Sequence, residues 1–306
     1  MELALIVFRQ CLTMALYMAM GYFLFRGKKI TIEGSKSFAS VLLWLVIPAV
    51  LIQSFCVAFS QERLEQLGIS ALLGAAVLAL SMLASRVLYR GKPVEHFATA
   101  FSNAGFMGIP LAKACFGEDA VFFLTGFVAF LNVMQWTYGA STLSHGKARM
   151  GLKEILLNPI CVGLLIGLAL FFSGLGARLP SIVQNTLSGV AALNAPLAML
   201  VLGVYLAQTN LLDMFTSKKL YCISAVRLLL IPALTLLILL PLPVDTTIRL
   251  TILAGASAPV GANVAVYSQI YGEDYAYACR MVAISTLLSV LTMPIVLSAA
   301  AALMQA

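Results

Sequence analysis

The sequence predicts an all-α integral membrane protein: ten transmembrane helices in two inverted five-helix repeats, with helices 4 and 9 broken and crossing. Three observations carry this reading. Of 306 residues, 61% are hydrophobic and only 10% charged, whereas a soluble domain carries about a quarter charged residues. Ten apolar stretches approach the roughly 20 residues that a spanning helix needs. A short signature also recurs half a chain apart. The composition leaves too little polar surface for a water-soluble globule, and it excludes a disordered chain or a nucleic-acid binder on the same ground. The net charge of +7 is the background expected of Lys and Arg gathered in cytoplasmic loops.

The stretches are 3–25, 37–59, 67–89, 97–116, 120–143, 155–173, 182–207, 220–240, 248–270 and 275–303. None has the short alternating pattern of a barrel strand. The first differs from a signal peptide in carrying Glu2 instead of a basic leader and in lacking a clear small-residue cleavage site, so it is read as span 1. Connections after spans 1, 3, 5 and 7 hold Arg26, Lys28, Lys29, Lys36, Arg86, Arg90, Lys92, Lys147, Arg149, Lys153, Lys218 and Lys219, while the other side holds chiefly Arg63 and Arg178. The positive-inside rule puts the first group in the cytoplasm and both termini outside, as in a multi-pass protein of the cell inner (plasma) membrane. All twelve carboxylates fall in loops or at an end, none in mid-membrane.

Cys115-Phe116-Gly117-Glu118-Asp119-Ala120 resembles Ile270-Tyr271-Gly272-Glu273-Asp274-Tyr275, and the same offset of 155 residues brings Ser102 onto Ser257. Each copy follows an apolar span interrupted by Gly and Pro. The division is therefore 1–150 (spans 1–5) and 151–306 (spans 6–10). Five is odd, so the second half enters the membrane from the opposite face and the halves are inverted copies. Corresponding broken spans in inverted halves point to a transport site near the midplane.

Gly105, Gly108 and Pro110 weaken span 4, and Pro259 and Gly261 weaken span 9. A break in lipid strands backbone N–H and C=O groups unless protein or a water-filled cavity covers them; the alternative is a simple kink. Two broken helices that cross aim half-helix N-termini, with free N–H groups and partial positive charge, at one point. Asn103 and Asn263 add amides there, and Ser102 and Ser257 hydroxyls. These are candidate groups around a carboxylate, or caps of the broken backbone; the two roles can coexist. In span 5, Asn132 and Trp136 share a helix face beside Gln135, which suits a small organic acid or, equally, interhelical packing. Asn158-Pro159 and Asn194-Ala195-Pro196 read as caps and hinges, and Pro48 and Pro232 as kinks. Lys113, Arg227 and Arg280 read as snorkelling cations. His96 and His145, near cytoplasmic loops, are too far apart in sequence to suggest a metal site. Six unpaired cysteines in apolar stretches suggest neither disulfides nor zinc. No cofactor is expected.

Ser102-Asn103-x-Gly105-Phe106-x-Gly108-x-Pro110, Asn158-Pro159, Asn194-Ala195-Pro196-Leu197-Ala198-Met199 and Ala258-Pro259-x-Gly261-Ala262-Asn263-Val264 resemble the auxin efflux carrier family, which spans bacterial malonate- and malate-type transporters and plant PIN-type carriers. The resemblance covers essentially the whole chain. It implies two inverted five-helix repeats, a substrate site where spans 4 and 9 cross, and elevator-type alternating access. It also implies Asn103 at the carboxylate, Pro259 at the span-9 crossover and Asn132 as the polar position of span 5. Plant members tend to have Pro where this chain has Ser102, and a small polar residue where it has Leu51; the loop between spans 5 and 6 is also short here. These departures favour a bacterial-type organic-anion carrier over one for auxin.

The expected function is thus secondary transport of a small organic anion, a mono- or dicarboxylate. The expected partners are that anion and the lipid bilayer, with a homodimer as candidate assembly. A sodium- or proton-coupled carrier of related fold and an anion channel are the alternatives. Proton coupling usually uses an intramembrane Asp, Glu or His, so membrane potential or substrate gradients are the expected driver, with sodium held by backbone carbonyls still open. An enzyme is not expected: there is no H-E-x-x-H, no deep Asp pair and no Ser–His arrangement.

Overall fold

The structure is a computed structural model, which describes residues 2–147 and 151–305. Arg149, counted above among the cytoplasmic cations, and the repeat boundary at residue 150 lie outside the described residues. In chain order the helices are α1 (Glu2–Arg26), α2 (Ile32–Ser54), α3 (Gln61–Leu88), α4 (Pro93–Ala100), α5 (Ala104–Phe116), α6 (Glu118–Leu143), α7 (Leu152–Leu156), α8 (Pro159–Phe172), α9 (Ser181–Ala207), α10 (Leu211–Thr216), α11 (Lys218–Leu239), α12 (Thr246–Ser257), α13 (Asn263–Tyr271) and α14 (Tyr275–Gln305). Among the described residues the only extended pairing is an isolated antiparallel bridge between Ser102 and Val260.

Seven of these helices, α1, α2, α3, α6, α9, α11 and α14, are long and apolar enough to cross a membrane. They correspond to seven of the ten expected stretches. The sixth stretch is the 14-residue α8, about 21 Å long at 1.5 Å per residue. The fourth and ninth are each divided, into α4 and α5 and into α12 and α13. Large apolar side chains such as Trp44, Leu72, Val87 and Ile295 stand exposed on the outer surface, as lipid-facing residues do. All six cysteines are free thiols.

The proline positions show how sequence sets the helix path. Ile47-Pro48, Ile109-Pro110 and Ile231-Pro232 each follow a single π turn, at Leu42–Val46, Ala104–Gly108 and Val226–Leu230. In each, the isoleucine N–H reaches back to the first residue of that turn, Leu42, Ala104 or Val226. A proline within a helix lacks its N–H, and its ring clashes with the carbonyl four residues back. Widening the preceding turn by one residue relieves that conflict while the helix continues. Pro110 is therefore not the break in the fourth stretch. The break falls earlier, at 101–103, and Pro110 sits inside the second half-helix.

Two bundles result. Helices α1, α2, α8 and α9 pack together, and α3–α6 pack with α11–α14; α1 also lies along α14. The α1–α9 crossing is close enough that a Cβ on Gly203 would overlap the Met18 carbonyl oxygen and one on Gly21 the Leu200 carbonyl oxygen. Small residues let backbones approach in this way within membranes. Among the described residues, ion pairs join groups that the charge rule assigns to the same face. Lys219–Glu95 (2.7 Å) and His145–Glu273 (2.9 Å) lie on the basic side, and Arg63–Asp119 (3.0 Å) and Lys113–Glu118 (2.7 Å) on the other.

The crossing yields a stability prediction. Gly203→Leu must push α1 from α9 and is expected to cost on the order of 1–3 kcal/mol, read as a lowered thermal midpoint in detergent. Gly189→Leu, on a side of α9 with nothing nearby, should leave the midpoint unchanged. Equal midpoints for the two variants would contradict the packing described.

Candidate functional site

The two interruptions meet. After α4 the chain becomes extended at Phe101 (φ −110°, ψ 118°), and after α12 it does so at Ala258 (φ −60°, ψ 149°). The segments then pair antiparallel: the Asn103 N–H donates to the Pro259 carbonyl at 2.8 Å, and the Gly261 N–H to the Phe101 carbonyl at 3.0 Å. The Val260 N–H donates to Ser285 Oγ at 3.1 Å. Each break thus supplies the partners that the other would lack in lipid. The approach is tight at Gly261, where a Cβ would lie 3.1 Å from the Ser102 carbonyl oxygen and 3.2 Å from that of Phe101, so the paired segments would have to give by a few tenths of an ångström to admit one.

Four half-helix ends converge here: the C-ends of α4 and α12 and the N-ends of α5 and α13. The C-ends are capped by one side chain. Arg227 donates from Nη1 to the Thr99 carbonyl (3.0 Å), from Nε to the Ala258 carbonyl (3.1 Å) and from Nη2 to the Ala256 carbonyl. It is 1% exposed. Nine residues past Lys218 on α11, it lies about 13 Å along the helix, near the middle of a ~30 Å hydrocarbon core. The expectation that Arg227 snorkels is therefore corrected: its guanidinium points inward onto the negative ends of two half-helices. The available sequence signal was an arginine deep within an apolar run with no carboxylate on its own helix.

The N-ends are left facing a cavity of about 30 Å³. Ser102, Asn103, Asn132, Gln135, Gly261 and Asn263 supply its polar side, all from the bundle that contains the crossover; Leu43, Ile47 and Ile160 face them from the other bundle. No ionisable side chain lines it. Asn103 Nδ2 and Ser102 Oγ are buried without a hydrogen-bond partner. The first N–H groups of α5, at Ala104 to Phe106, have no acceptor within their own helix by construction. Asn263 Nδ2 donates to Gln135 Oε1 at 2.6 Å, which ties α13 to α6.

The alternatives left open for the asparagines separate. Asn158 is a helix cap, its Oδ1 accepting from the Ile160 N–H at 3.0 Å. Asn103 precedes α5 but makes no side-chain cap bond. Asn132 Nδ2 donates back to the Val128 carbonyl of its own helix at 2.7 Å. Asn194 Nδ2 donates across to the Gly105 carbonyl at 3.0 Å, and its Oδ1 has no partner.

Six of the ten candidate residues line the cavity: Ser102, Asn103, Gly105, Asn132, Gly261 and Asn263. The other four stand apart from it. Gly108 packs against Gly255 of α12, and Pro259 offers its carbonyl to Asn103. Ser257 is buried at the end of α12 with Oγ unpartnered. Pro110 borders a second cavity of about 450 Å³, lined also by Gln53, Ser54, Lys113, Glu118 and Asn194. Lys113 stands half-exposed there, paired with Glu118. Gln135, which the sequence places beside Asn132 without marking it as a site residue, also lines the cavity, at the start of a π turn (Gln135–Gly139).

A helical membrane protein whose interrupted helices meet around a donor-lined cavity has the architecture of a carrier. Residues 145–297 match the family described as "Membrane transport protein". The chain belongs to this family, that of the auxin efflux carriers. It is 28% identical over 244 residues to a protein of Rhizobium meliloti (strain 1021) named "Putative malonate transporter", an overlap of 75% of this chain and 73% of that one. It is also 30% identical over 110 residues to an uncharacterized transporter of Methanocaldococcus jannaschii, covering 34% of this chain and 35% of that one.

The cap on the C-ends is directly testable. Arg227→Ala strands three buried carbonyl groups and should cost on the order of 3 kcal/mol, seen as a lower unfolding midpoint in detergent. Arg227→Lys keeps the charge but not the fork geometry, and should fall between. A midpoint unchanged in Arg227→Ala would remove the cap from this account.

Proposed function

We propose that the chain is a secondary transporter that moves a small organic anion, a mono- or dicarboxylate, across the cell inner membrane by elevator-type alternating access. The carboxylate sits at the crossover, on the α5 and α13 N-ends and the Asn103 side chain. One observation carries this reading: the negative half-helix ends are capped by a buried arginine, while the N-end of α5 and the unpartnered Asn103 amide face the cavity. The name of the Rhizobium relative makes malonate the first substrate to test.

The packing supports ten crossings in two inverted halves, 1–150 and 151–306, with both termini outside. In that scheme α1 corresponds to α8 and α2 to α9, so the α1–α9 contact has its counterpart in α8–α2. Likewise the α3–α6 contact has its counterpart in α11–α14. The elevator reading is supported by the division of the cavity walls. Every hydrogen-bonding group comes from the crossover bundle, and the opposing wall is apolar. That bundle can then carry the anion past this apolar wall without breaking hydrogen bonds to the wall itself. A cavity of about 30 Å³ holds a water or two, so this conformation is closed at the site. The larger outer cavity stops at Asn194, whose bond to the Gly105 carbonyl is the contact to be broken on opening.

With no carboxylate lining the site, the loaded carrier bears the anion's charge. Malonate uptake into proteoliposomes is expected to respond to membrane potential and to persist when sodium is replaced by choline; collapse without sodium would make sodium the driver. Asn103→Ala should raise the half-saturating concentration by about tenfold or more, since a hydrogen bond to a charged group is worth ~1.5–3 kcal/mol. Asn103→Ala with wild-type affinity and rate would dissociate the crossover from binding.

A further inference from the structure

Away from the crossover, two recesses on the surface of α3 and α6 run into one another. The first, about 660 Å³, lies at the basic end of α3 and is walled by Arg86, Arg90, Lys92, His96, Tyr138 and His145. The second, about 340 Å³, continues along the helices and is walled by Ala75, Leu78, Ala79, Met82 and Phe130. Leu83, Arg86 and Tyr138 border both, which makes them one groove with a cationic head and an apolar tail. From Arg86 back to Ala75 is eleven residues of α3, about 16 Å at helical rise. That is close to half of a ~30 Å hydrocarbon core, the depth of one leaflet.

The charge of the head is unspent. Among the described residues, Arg86, Arg90 and Lys92 form no ion pair. Of the nearby carboxylates, Glu95 is paired with Lys219 at 2.7 Å, and Glu273 with His145 on the wall of the head at 2.9 Å, so neither pairs with these three cations. A tight turn, with Gly91 at φ 75° and the Lys92 N–H bonded to the Tyr89 carbonyl at 3.0 Å, holds the cations together. At the pocket wall His96 is only 4% exposed, and its Nε2 has no hydrogen-bond partner. Its ring rests edge-on against Tyr138, 5.6 Å between centroids.

We propose that this groove binds an anionic phospholipid of the cytoplasmic leaflet, its phosphate among Arg86, Arg90 and Lys92 and an acyl chain along Ala75, Ala79 and Phe130. Basic pockets at the cytoplasmic edge of membrane helices suit such headgroups. A soluble phosphate would use the head but leave the apolar tail unexplained. A second copy of the chain meeting this face about a two-fold axis would bring like charges together.

The test uses the whole purified protein with defined lipids. Phosphatidylglycerol should be retained in native mass spectrometry and raise the thermal midpoint more than phosphatidylcholine. The triple variant Arg86→Gln, Arg90→Gln, Lys92→Gln should weaken phosphatidylglycerol binding by about a hundredfold, each cation contributing roughly fivefold. Ala79→Trp fills the tail without altering charge and should weaken it too, which keeps the test open if the triple variant folds poorly. Equal stabilisation by phosphatidylcholine, retention by both variants, or a full midpoint rise with glycerol phosphate alone would each overturn the proposal.

Discussion

The fold depends on how four half-helix ends are satisfied inside lipid. A backbone polar group left bare in hydrocarbon costs several kcal/mol, and two separate breaks would expose several. Pairing the breaks removes part of that cost through the Asn103–Pro259 and Gly261–Phe101 hydrogen bonds. Arg227 removes a further part by taking carbonyls from both C-ends at once. A buried arginine is itself expensive in a membrane, and three carbonyls at negative helix ends offset it. None of these elements stands alone: the breaks need each other, and Arg227 needs both. The N-ends remain, and under the proposed function their partial positive charge is what would receive the anion.

The same constraint shapes the division into two bundles. Because the crossover satisfies itself within one bundle, the facing bundle need contribute no hydrogen bonds, and the cavity wall it offers is Leu43, Ile47 and Ile160. The bundles still touch along α1 and α14 and through Asn194 to the Gly105 carbonyl. That last bond ends on the carbonyl of a π turn, Ala104–Gly108, where the regular helical bonding is already relaxed. A contact made there can be exchanged without unravelling a helix.

The membrane class, the positions of the long helices and the presence of two interrupted ones were legible from apolar run length and Gly/Pro placement. The residues flanking the breaks, Ser102, Asn103, Gly261 and Asn263, were legible too, because polar side chains in an apolar run are conspicuous. The place of the first break was not. Pro110 looked like the interruption, yet a π turn absorbs it, and whether a chain kinks or widens a turn depends on what packs around it. Nor was the difference between Asn103 and Asn158 visible: both precede a helix, but only Asn158 turns its oxygen back to cap it. Arg227 was misread because its partners, Thr99, Ala256 and Ala258, come from other helices. Partners that distant in sequence leave no local trace.

The repeated Gly-Glu-Asp signature has a structural meaning that differs from a site motif. Gly117 (φ 85°) terminates α5, and Gly272 (φ 77°) terminates α13, a conformation that glycine adopts without strain. The acids that follow anchor these ends on opposite faces: Asp119 binds Arg63 and Glu273 binds His145. From Ala104 to Gly117 is thirteen residues and from Asn263 to Gly272 nine, or about 20 and 14 Å of helix. Half of a ~30 Å core is about 15 Å, so both lengths are comparable with the depth of one leaflet. The signature contains no residue that lines the cavity; it marks where the two half-helices that border the cavity end.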